Sequence, residues 1–228
     1  MRWIVEHVEG SARQLHDLPV PAHRLVRVHR VSAPAVVLGS RQSPAELATA
    51  PMQGVELAIR GSGGGAVWLA PYEQLWVDVV VPVGDVLHSD DIRVAAHRMG
   101  DVWSATLGPQ TRTWRAAPTA GSASALVCFA GVGPGEVTLD GRKLVGISQR
   151  RTRRWSRFQC VAYHRFAPER MLRCLGVPGG SDVERALSSS VAVLGELGAP
   201  EAQGEQIGAW SHAVIEQLVR NLDEVCRH

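Results

Sequence analysis

The sequence predicts an α+β domain in which a mixed β-sheet packs against helices and is followed by a C-terminal helical pair. Valine-rich runs broken by proline and glycine continue as far as Phe166, whereas beyond Gly180 the apolar residues follow helical spacing only. The length of 228 residues suits one large domain, or one domain with a small appendage. We therefore predict a sheet domain over residues 1–180 and a helical extension over 181–228, packed on the same domain.

The strands are predicted from short segments rich in β-branched residues. The strongest is QLWVDVVV at 74–81, which Pro82 ends. The apolar run at 125–130 predicts a further buried strand. Similar segments occupy residues 3–8, 25–31, 35–39, 55–59 and 158–166.

The helices are predicted from capping residues and from apolar residues that repeat on one face. The predicted helices cover residues 45–50, residues 92–107, a short segment from 168 to 176, a segment that begins at the capping box of Ser181 and Glu184, and residues 207–225.

The composition is that of a soluble globular protein, with 45% hydrophobic and 20% charged residues. No leader with an apolar segment and no uninterrupted apolar run near about 18 residues is present, so we expect neither secretion nor membrane insertion. The cysteines are few, and none forms a CxxC pair, so we predict no disulfide framework and no metal site. A cytoplasmic location with free thiols follows. These thiols are Cys128, Cys160, Cys174 and Cys226.

A β-hairpin is predicted around Asp140-Gly141, which lies between two apolar runs. Asp-Gly favours the positive φ angles of a two-residue type I′ turn. That turn places Thr138 opposite Lys143 in the ladder.

Lys143 is unusual for its position, because strict alternation points it the same way as Val145 and Ile147. An unpaired ammonium group is costly to bury. Two interpretations remain: the lysine meets a carbonyl or phosphate in a pocket, or it extends from an edge strand to water. Gly146, two residues before Ser148, suits close backbone approach by a ligand.

The segment after the hairpin is strongly basic although the net charge is only +2. Such a segment suits an anionic ligand or an acidic protein partner, and a solvated loop is the alternative. Nucleic acid is not expected, because only Trp155 and Phe158 are interleaved with the charges. The basic residues, with no acidic residue among them, are Arg142, Lys143, Arg150, Arg151, Arg153, Arg154 and Arg157.

A glycine-rich loop, RGSGGGAV at residues 60–67, follows the strand predicted at 55–59. Each glycine carries an entropic cost of about 0.5–1 kcal/mol relative to alanine, so three in a row require another reason. They let backbone N–H groups approach an anionic or amide-bearing ligand, with Arg60 supplying charge. A glycine-rich hairpin bend is the alternative. The loop lacks the GK[ST] ending of a nucleotide-binding P-loop.

Three segments together resemble the superfamily of lipoate–protein ligases, octanoyltransferases and biotin ligases. They are VVLGSRQ at 36–42, RGSGGGAV at 60–67 and GRKLVGISQ at 141–149, and they occur in the family's order. The resemblance implies a catalytic domain of the biotin/lipoyl ligase type that attaches an octanoyl or lipoyl group to a lysine of a lipoyl domain. It places Lys143 at the acyl carbonyl. The residues it implies around the substrate are Arg60, Ser62, Gly63, Gly64, Gly65, Ala66, Val67, Gly146 and Ser148.

Cys128 bears on the chemistry, because it lies 15 residues before Lys143 and is followed by Phe129 and, eight residues on, by Glu136. This spacing resembles the cysteine-dependent octanoyltransferases. The resemblance implies that the Cys128 thiolate takes an octanoyl group from an acyl carrier protein and passes it on through a thioester, with no tightly bound cofactor. As an alternative, Cys128 is a small core residue of a buried strand.

Two other routes stay open. An ATP-dependent ligase would use lipoate, ATP and magnesium through lipoyl-AMP, but the Asn-Asp pair usual in such ligases is not evident at 125–128. A non-catalytic homologue would only bind an acyl or lipoyl ligand. Its support is that Leu69, and Cys160 in Gln159-Cys160-Val161, stand where many members have histidine. Of the three routes we favour the cysteine acyl-enzyme. Cys160 is then either a core thiol or the nucleophile.

The resemblance also implies the protein partners. Lipoyl domains in these systems are acidic, which suits the basic segment as a docking surface. The residues predicted to form that surface are Arg150, Arg151, Arg153 and Arg154, and we predict no nucleic-acid partner and no membrane partner.

Overall fold

The computed structural model describes residues 2–46, 53–119, 123–199 and 205–227. It contains two β-sheets. The seven-stranded sheet has the order β1-β2-β6-β10-β9-β8-β7, in which β1 and β2 are parallel and all other pairs are antiparallel. Its strands are β1 (Ile4–Gly10), β2 (Leu25–Val31), β6 (Gln74–Pro82), β7 (Thr111–Thr113), β8 (Val137–Leu139), β9 (Arg142–Arg151) and β10 (Trp155–Tyr163).

The smaller sheet has three strands in the order β4-β3-β5. They are β3 (Ala35–Leu38), β4 (Glu56–Ile59) and β5 (Val67–Leu69), and β4 is parallel to β3 while β5 is antiparallel to it. The helices are α1 (Ala12–Asp17), α2 (Ile92–Leu107), α3 (Glu169–Cys174), α4 (Asp182–Ser190) and α5 (Glu205–Val225). No helix in the described ranges is long and apolar enough to cross a membrane.

Strand β6 is the centre of the large sheet, and all nine of its residues are buried. Side chains of Val77 and Val79 share a core with helices α2 and α5, in which Leu218 and Leu222 are fully buried. Asp91 caps α2 because its Oδ1 accepts hydrogen bonds from the backbone N–H groups of the first turn. This face of the sheet is therefore the helix layer.

The other face of the large sheet is covered by the small sheet and α1. Trp76 of β6 packs there with Leu15 of α1, Val37 of β3 and Leu69 of β5. Alternation along β6 separates this face from the helix layer. The space between the two sheets holds the candidate site.

The predicted fold class, a mixed sheet with helices, is confirmed. The strand predicted at 125–130 is wrong, because Cys128–Ala130 forms a 3-10 turn and Val127 makes only an isolated bridge to Ala66. The helix predicted at 45–50 is replaced at its start by a 3-10 turn at Pro44–Glu46, and residues 47–50 lie outside the described residues. The short helix α1 was not predicted. The division of the chain at residue 180 stays a prediction.

The hairpin at Asp140-Gly141 is confirmed in detail. Both residues have positive φ angles, 50° and 78°, as a type I′ turn requires. Thr138 lies opposite Lys143 in the ladder, as predicted.

Candidate active site

Lys143 leaves the face that strict alternation assigns to it. Val137 pairs with Val145 and Thr138 pairs with Lys143, so one step along β8 matches two residues of β9. This β-bulge interrupts the alternation of side chains. Val145 stays in the helix layer, whereas Lys143 reaches the face of Gly146, where Phe129 also packs. The prediction that Lys143 points with Val145 and Ile147 is therefore wrong.

Lys143 is a buried and paired cation with only 2% of its surface exposed. Its Nζ donates to the backbone oxygen of Cys128 at 2.8 Å and lies 2.8 Å from Glu136 Oε2. It also lies 5.1 Å from the centroid of the Phe129 ring. The interpretation of Lys143 as a residue extending to water is thus excluded. The carbonyl that Lys143 contacts here is the protein's own, at Cys128, and its contact with a ligand stays a prediction.

Glu136 is the counter-charge that makes burial of Lys143 possible. Its Oε2 accepts a hydrogen bond from the backbone N–H of Gly133 at 2.6 Å, and its Oε1 accepts one from the N–H of Ile147 at 3.3 Å. In the sequence, Glu136 was noted only because it lies eight residues after Cys128. Its role as the partner of Lys143 depends on the bulge, which the sequence does not reveal.

The glycine loop is packed against other backbone segments rather than left open. A β-carbon at Gly39 would lie 1.9 Å from the Gly64 oxygen, and one at Gly65 would lie 2.6 Å from the backbone of Val127. The backbone of Ala66 donates to Leu126 and accepts from Cys128, at 2.8 and 3.0 Å. These contacts explain glycine at 39 and 65 by close packing within the protein, and they fix the Cys128 segment beside the loop.

Arg60 is the second buried cation, with 5% of its surface exposed. Its Nη2 donates to the backbone oxygens of Gly63 and Gly65, each at 2.8 Å, and its Nη1 donates to that of Val37 at 3.3 Å. No carboxylate among the described residues forms an ion pair with it. Burial lowers the pKa of the Arg60 guanidinium, and the nearby Cys128 thiolate acts in the opposite direction.

The Cys128 thiol borders the same glycine as Arg60. A β-carbon at Gly64 would lie 2.9 Å from Arg60 Nη2 and 3.8 Å from Cys128 Sγ. Cys128 itself is half-buried, so its thiol combines partial access with a neighbouring cation.

A narrow apolar cavity is lined by Arg60 and Cys128, whereas Lys143 and Glu136 are not among its lining residues. Cys128, Phe129 and Gly146 line one part of it, and Val67 and Trp76 line its walls farther in. Its volume is about 40 Å³, which holds about three water molecules. An eight-carbon acyl chain is larger, so its binding requires the lining side chains to separate.

Most of the residues that the sequence analysis selected lie together at this cavity. Arg60, Val67, Gly146 and Ser148 line it, and the Ser62 hydroxyl donates to the Ser148 hydroxyl at 3.1 Å, which joins the loop to β9. The remaining loop residues Gly63, Gly64, Gly65 and Ala66 pack beside it, as described above.

Cys160 does not belong to the site. Its side chain packs in the helix layer on the opposite face of β10, and it is fully buried. Burial raises the pKa of the Cys160 thiol, which disfavours the thiolate. Of the two thiols that the sequence left open, Cys128 is therefore the one at the cavity.

The basic segment divides into paired and exposed residues. Arg142 pairs with Glu196, and Arg157 lies 3.7 Å from Asp78 in the interior. Arg151 donates to the backbone oxygens of Ser89 and Asp90. Arg150, Arg153 and Arg154 are exposed, and Arg150 lies against Gly61 of the glycine loop.

Sequence reasoning missed the polar residues at the inner part of the cavity. His16 and Gln159 line it there, and Asp78 lies behind Gln159. His16 belongs to the six-residue helix α1, which is too short to show helical periodicity. Asp78 is a charged residue within an otherwise apolar run of β6, and this charge is the feature of the sequence that could have indicated a buried polar group. Among the described residues, no group of three or more His, Cys, Asp and Glu side chains is arranged to hold a metal ion.

Several solved structures have the same fold. A Thermoplasma acidophilum protein described as a lipoate–protein ligase, with bound lipoic acid, is 16% identical with a TM-score of 0.67, covering 98% of this chain and 86% of that one. Lipoate–protein ligase A bound with ATP is 16% identical with a TM-score of 0.68 and the same coverage. The bipartite T. acidophilum ligase, studied with its E2 lipoyl domain, is 16% identical with a TM-score of 0.68, covering 99% and 84%.

The family is shown by the sequence itself. A search of curated protein sequences finds no match. A model of the lipoyl protein ligase A/B catalytic domain, however, matches residues 12–210, which is most of the chain. The fold and the match define an enzyme of the lipoate-attachment class, either a ligase or a transferase. The chain belongs to the lipoyl protein ligase A/B catalytic domain family.

Proposed function

We propose that this enzyme attaches an octanoyl or lipoyl group to a lysine of an acidic lipoyl domain through an acyl-enzyme on Cys128. The observation that carries the proposal is the contact of Lys143 Nζ with the Cys128 backbone oxygen, 2.8 Å long, at one end of an apolar cavity. It ties a buried cation to the backbone of the residue that carries the half-buried thiol. A second buried cation, Arg60, borders the same thiol.

In the first step the Cys128 thiolate attacks the thioester carbonyl of an octanoyl carrier protein. The carrier thiolate leaves, takes up the proton that Cys128 released, and an S-octanoyl cysteine forms. Lys143 has three N–H donors, and two of them have partners in Glu136 and the Cys128 oxygen. The third is available to stabilise the negative charge that develops on the acyl oxygen.

In the second step the deprotonated amine of the lipoyl-domain lysine attacks the new thioester. An amide forms, the Cys128 sulfur leaves, and the amine gives up its proton so that the thiol is regenerated. No redox change and no ATP are required on this route. The acyl donor is the carrier protein, and the acceptor is the lipoyl domain.

An ATP-dependent ligase is the second candidate, and two observations favour it. Similar folds have been solved with lipoic acid and with ATP, and Arg60 is a buried cation without a carboxylate partner among the described residues. On this route lipoate and magnesium-bound ATP react to lipoyl-AMP with release of pyrophosphate. The acceptor lysine then attacks the mixed anhydride, and AMP leaves.

The experiment that separates these routes is an acylation assay read by intact mass. The protein is incubated with octanoyl carrier protein, and Cys128→Ser is compared with Cys226→Ser, which removes a half-buried thiol that follows α5. We expect one octanoyl adduct on the wild type and on Cys226→Ser, and none on Cys128→Ser. An adduct that persists on Cys128→Ser contradicts the proposed nucleophile.

Adding a lipoyl domain completes the assay. Transfer that needs lipoate, ATP and magnesium, and that survives Cys128→Ser, would establish the ligase route. Acyl binding without transfer under either condition would establish a non-catalytic homologue. The loss of activity would then be explained by Leu69 and Cys160, which stand where many family members have histidine.

We further propose that the exposed arginines beyond β9 dock the lipoyl domain. Arg153→Glu/Arg154→Glu is expected to raise the KM for an acidic lipoyl domain about tenfold, because charge complementarity at an exposed rim contributes to association. Acyl-enzyme formation on Cys128 should be unaffected. Steady-state kinetics at two salt concentrations measure the effect, which should shrink as salt is raised.

The matched control is Arg220→Glu/Arg227→Glu, which makes the same change in charge at exposed residues on and after α5, in the helix layer. An equal rise of KM in both double variants would show that only net charge matters, and would refute a local docking surface.

A further inference from the structure

Two polar residues, His16 and Gln159, line the largely apolar cavity. The ring of His16 lies 4.7 Å from the ring of Trp76, and Gln159 Nε2 lies 3.4 Å from His16 Nδ1. All three residues line the cavity. This group is called the inner cluster below.

The inner cluster lies at the opposite end of the cavity from Cys128. Val161 of β10 pairs with Gly146 of β9 on one side and with Trp76 of β6 on the other. Since neighbouring strands lie about 4.8 Å apart, Trp76 is roughly 10 Å across the sheet from Gly146. Phe129, next to Cys128, packs on Gly146. An acyl chain joined to Cys128 and lying in the cavity therefore directs its far end towards His16.

A buried carboxylate fixes how Gln159 is oriented. Asp78 Oδ1 accepts hydrogen bonds from Gln159 Nε2 and from Trp76 Nε1, each at 3.3 Å. Asp78 Oδ2 lies 3.2 Å from His29 Nε2. Burial would raise the pKa of Asp78, but its partners His29 and Arg157 outweigh that effect and lower it, so Asp78 is a carboxylate. The amide nitrogen of Gln159 consequently faces Asp78, and its oxygen faces away.

The same contact assigns the proton on His16. Burial lowers the pKa of His16 to about 4, so the ring is neutral near pH 7. Because Gln159 Nε2 is a donor, His16 Nδ1 is the acceptor and Nε2 carries the hydrogen. His16 Nε2 is thus a hydrogen-bond donor.

Two atoms of the inner cluster are buried without a partner in the described part of the chain: His16 Nε2 and Gln159 Oε1. Gln159 has only 6% of its surface exposed. Buried polar atoms are normally paired, and an unpaired one is costly. His16 Nε2 is a donor and Gln159 Oε1 is an acceptor. A hydroxyl group, which can accept one hydrogen bond and donate another, matches both atoms.

We propose that the inner cluster recognises a hydroxyl group near the far end of the acyl chain, so that a hydroxylated medium-length acyl group is preferred to plain octanoyl. The hydroxyl oxygen accepts from His16 Nε2, and the hydroxyl hydrogen is donated to Gln159 Oε1. This inference rests on the proposed function, because it takes the cavity to be the acyl site. It makes His16 and Gln159 specificity-determining residues.

The test compares octanoate and 8-hydroxyoctanoate as free acids, titrated into the full chain by calorimetry. We expect the hydroxylated acid to bind at least tenfold more tightly to the wild type. His16→Phe removes the donor while keeping a ring, and should reduce the ratio of the two affinities to near or below one. His16→Gln retains a donor and should keep part of the preference.

His23→Leu is the control, because it removes an exposed histidine outside the cavity, and its affinity ratio should equal that of the wild type. Equal affinities of the two acids for the wild type would overturn the inference, and would mean that water satisfies the two orphans. A preference that persists in His16→Phe would also overturn it. Either result leaves the proposed function intact if the Cys128 adduct forms. Failure of both acids to bind, together with no adduct on Cys128, would refute both proposals.

Discussion

Replacing Lys143 with methionine is expected to lower acyl transfer at least about a hundredfold, which is the scale of losing one buried donor to a developing oxyanion. Methionine keeps an unbranched apolar side chain, one atom shorter than lysine, but removes all three N–H donors. The contact with the Cys128 backbone oxygen is lost, and with it the buried cation next to the Cys128 segment. Initial rates of transfer from octanoyl carrier protein to a lipoyl domain measure the change.

Stability has to be separated from catalysis in this experiment. The single substitution leaves the Glu136 carboxylate buried without its cation, which costs about 3–5 kcal/mol of the free energy of unfolding. The double variant Lys143→Met/Glu136→Gln removes both charges and keeps an amide oxygen that can accept from one of the two backbone N–H groups that Glu136 binds. We expect it to recover stability in a denaturant titration while transfer stays low. Recovery of transfer in the double variant would show that Lys143 is a structural residue only.

The second large effect is expected from Gly65→Ala, which should destabilise the protein by about 3 kcal/mol through overpacking. Its β-carbon would lie 2.6 Å from the backbone of Val127. Neither backbone segment can move away without also moving Cys128, which follows Val127. Thermal unfolding and the yield of Cys128 adduct should fall together.

Gly63→Ala is the matched control in the same loop. A β-carbon at Gly63 would lie 3.6 Å from the flexible Arg41 side chain, an ordinary contact. We expect near-normal stability and normal adduct formation from it. Equal loss in both variants would mean that glycine is required for backbone freedom throughout the loop, and that close packing at Gly65 is not the cause.

Local patterns predicted the sheet and the hairpin, and they selected several residues that the fold brings to one cavity. Asp140-Gly141 fixes its turn through backbone preference alone, so neighbouring residues were sufficient evidence. Lys143 was selected because an ammonium among aliphatic residues needs a reason. That argument was right about burial and wrong about direction, since a bulge depends on how two strands meet.

Long-range packing decided what the sequence could not reveal. Gly39 and Gly64 touch across 25 positions of the chain, and no local pattern reports such a contact. Asp78, Gln159 and His16 come from three separate elements, so their contact exists only in the folded sheet. The strand predicted at 125–130 failed because that apolar run meets the glycine loop instead of a neighbouring strand.

The bulge in β9 has a consequence for protein design. The face on which Lys143 lies is set by how β8 and β9 pair and not by the identities of the side chains around it. Transplanting Lys143, Glu136 and Cys128 onto a regular hairpin would turn the ammonium group towards the helices. Deleting Leu144 in this chain would instead make Thr138–Lys143 and Val137–Val145 consecutive pairs of a regular ladder, and would keep Lys143 on its present face. A template for this chemistry must therefore preserve the pairing of Lys143 with Thr138 along with the residues.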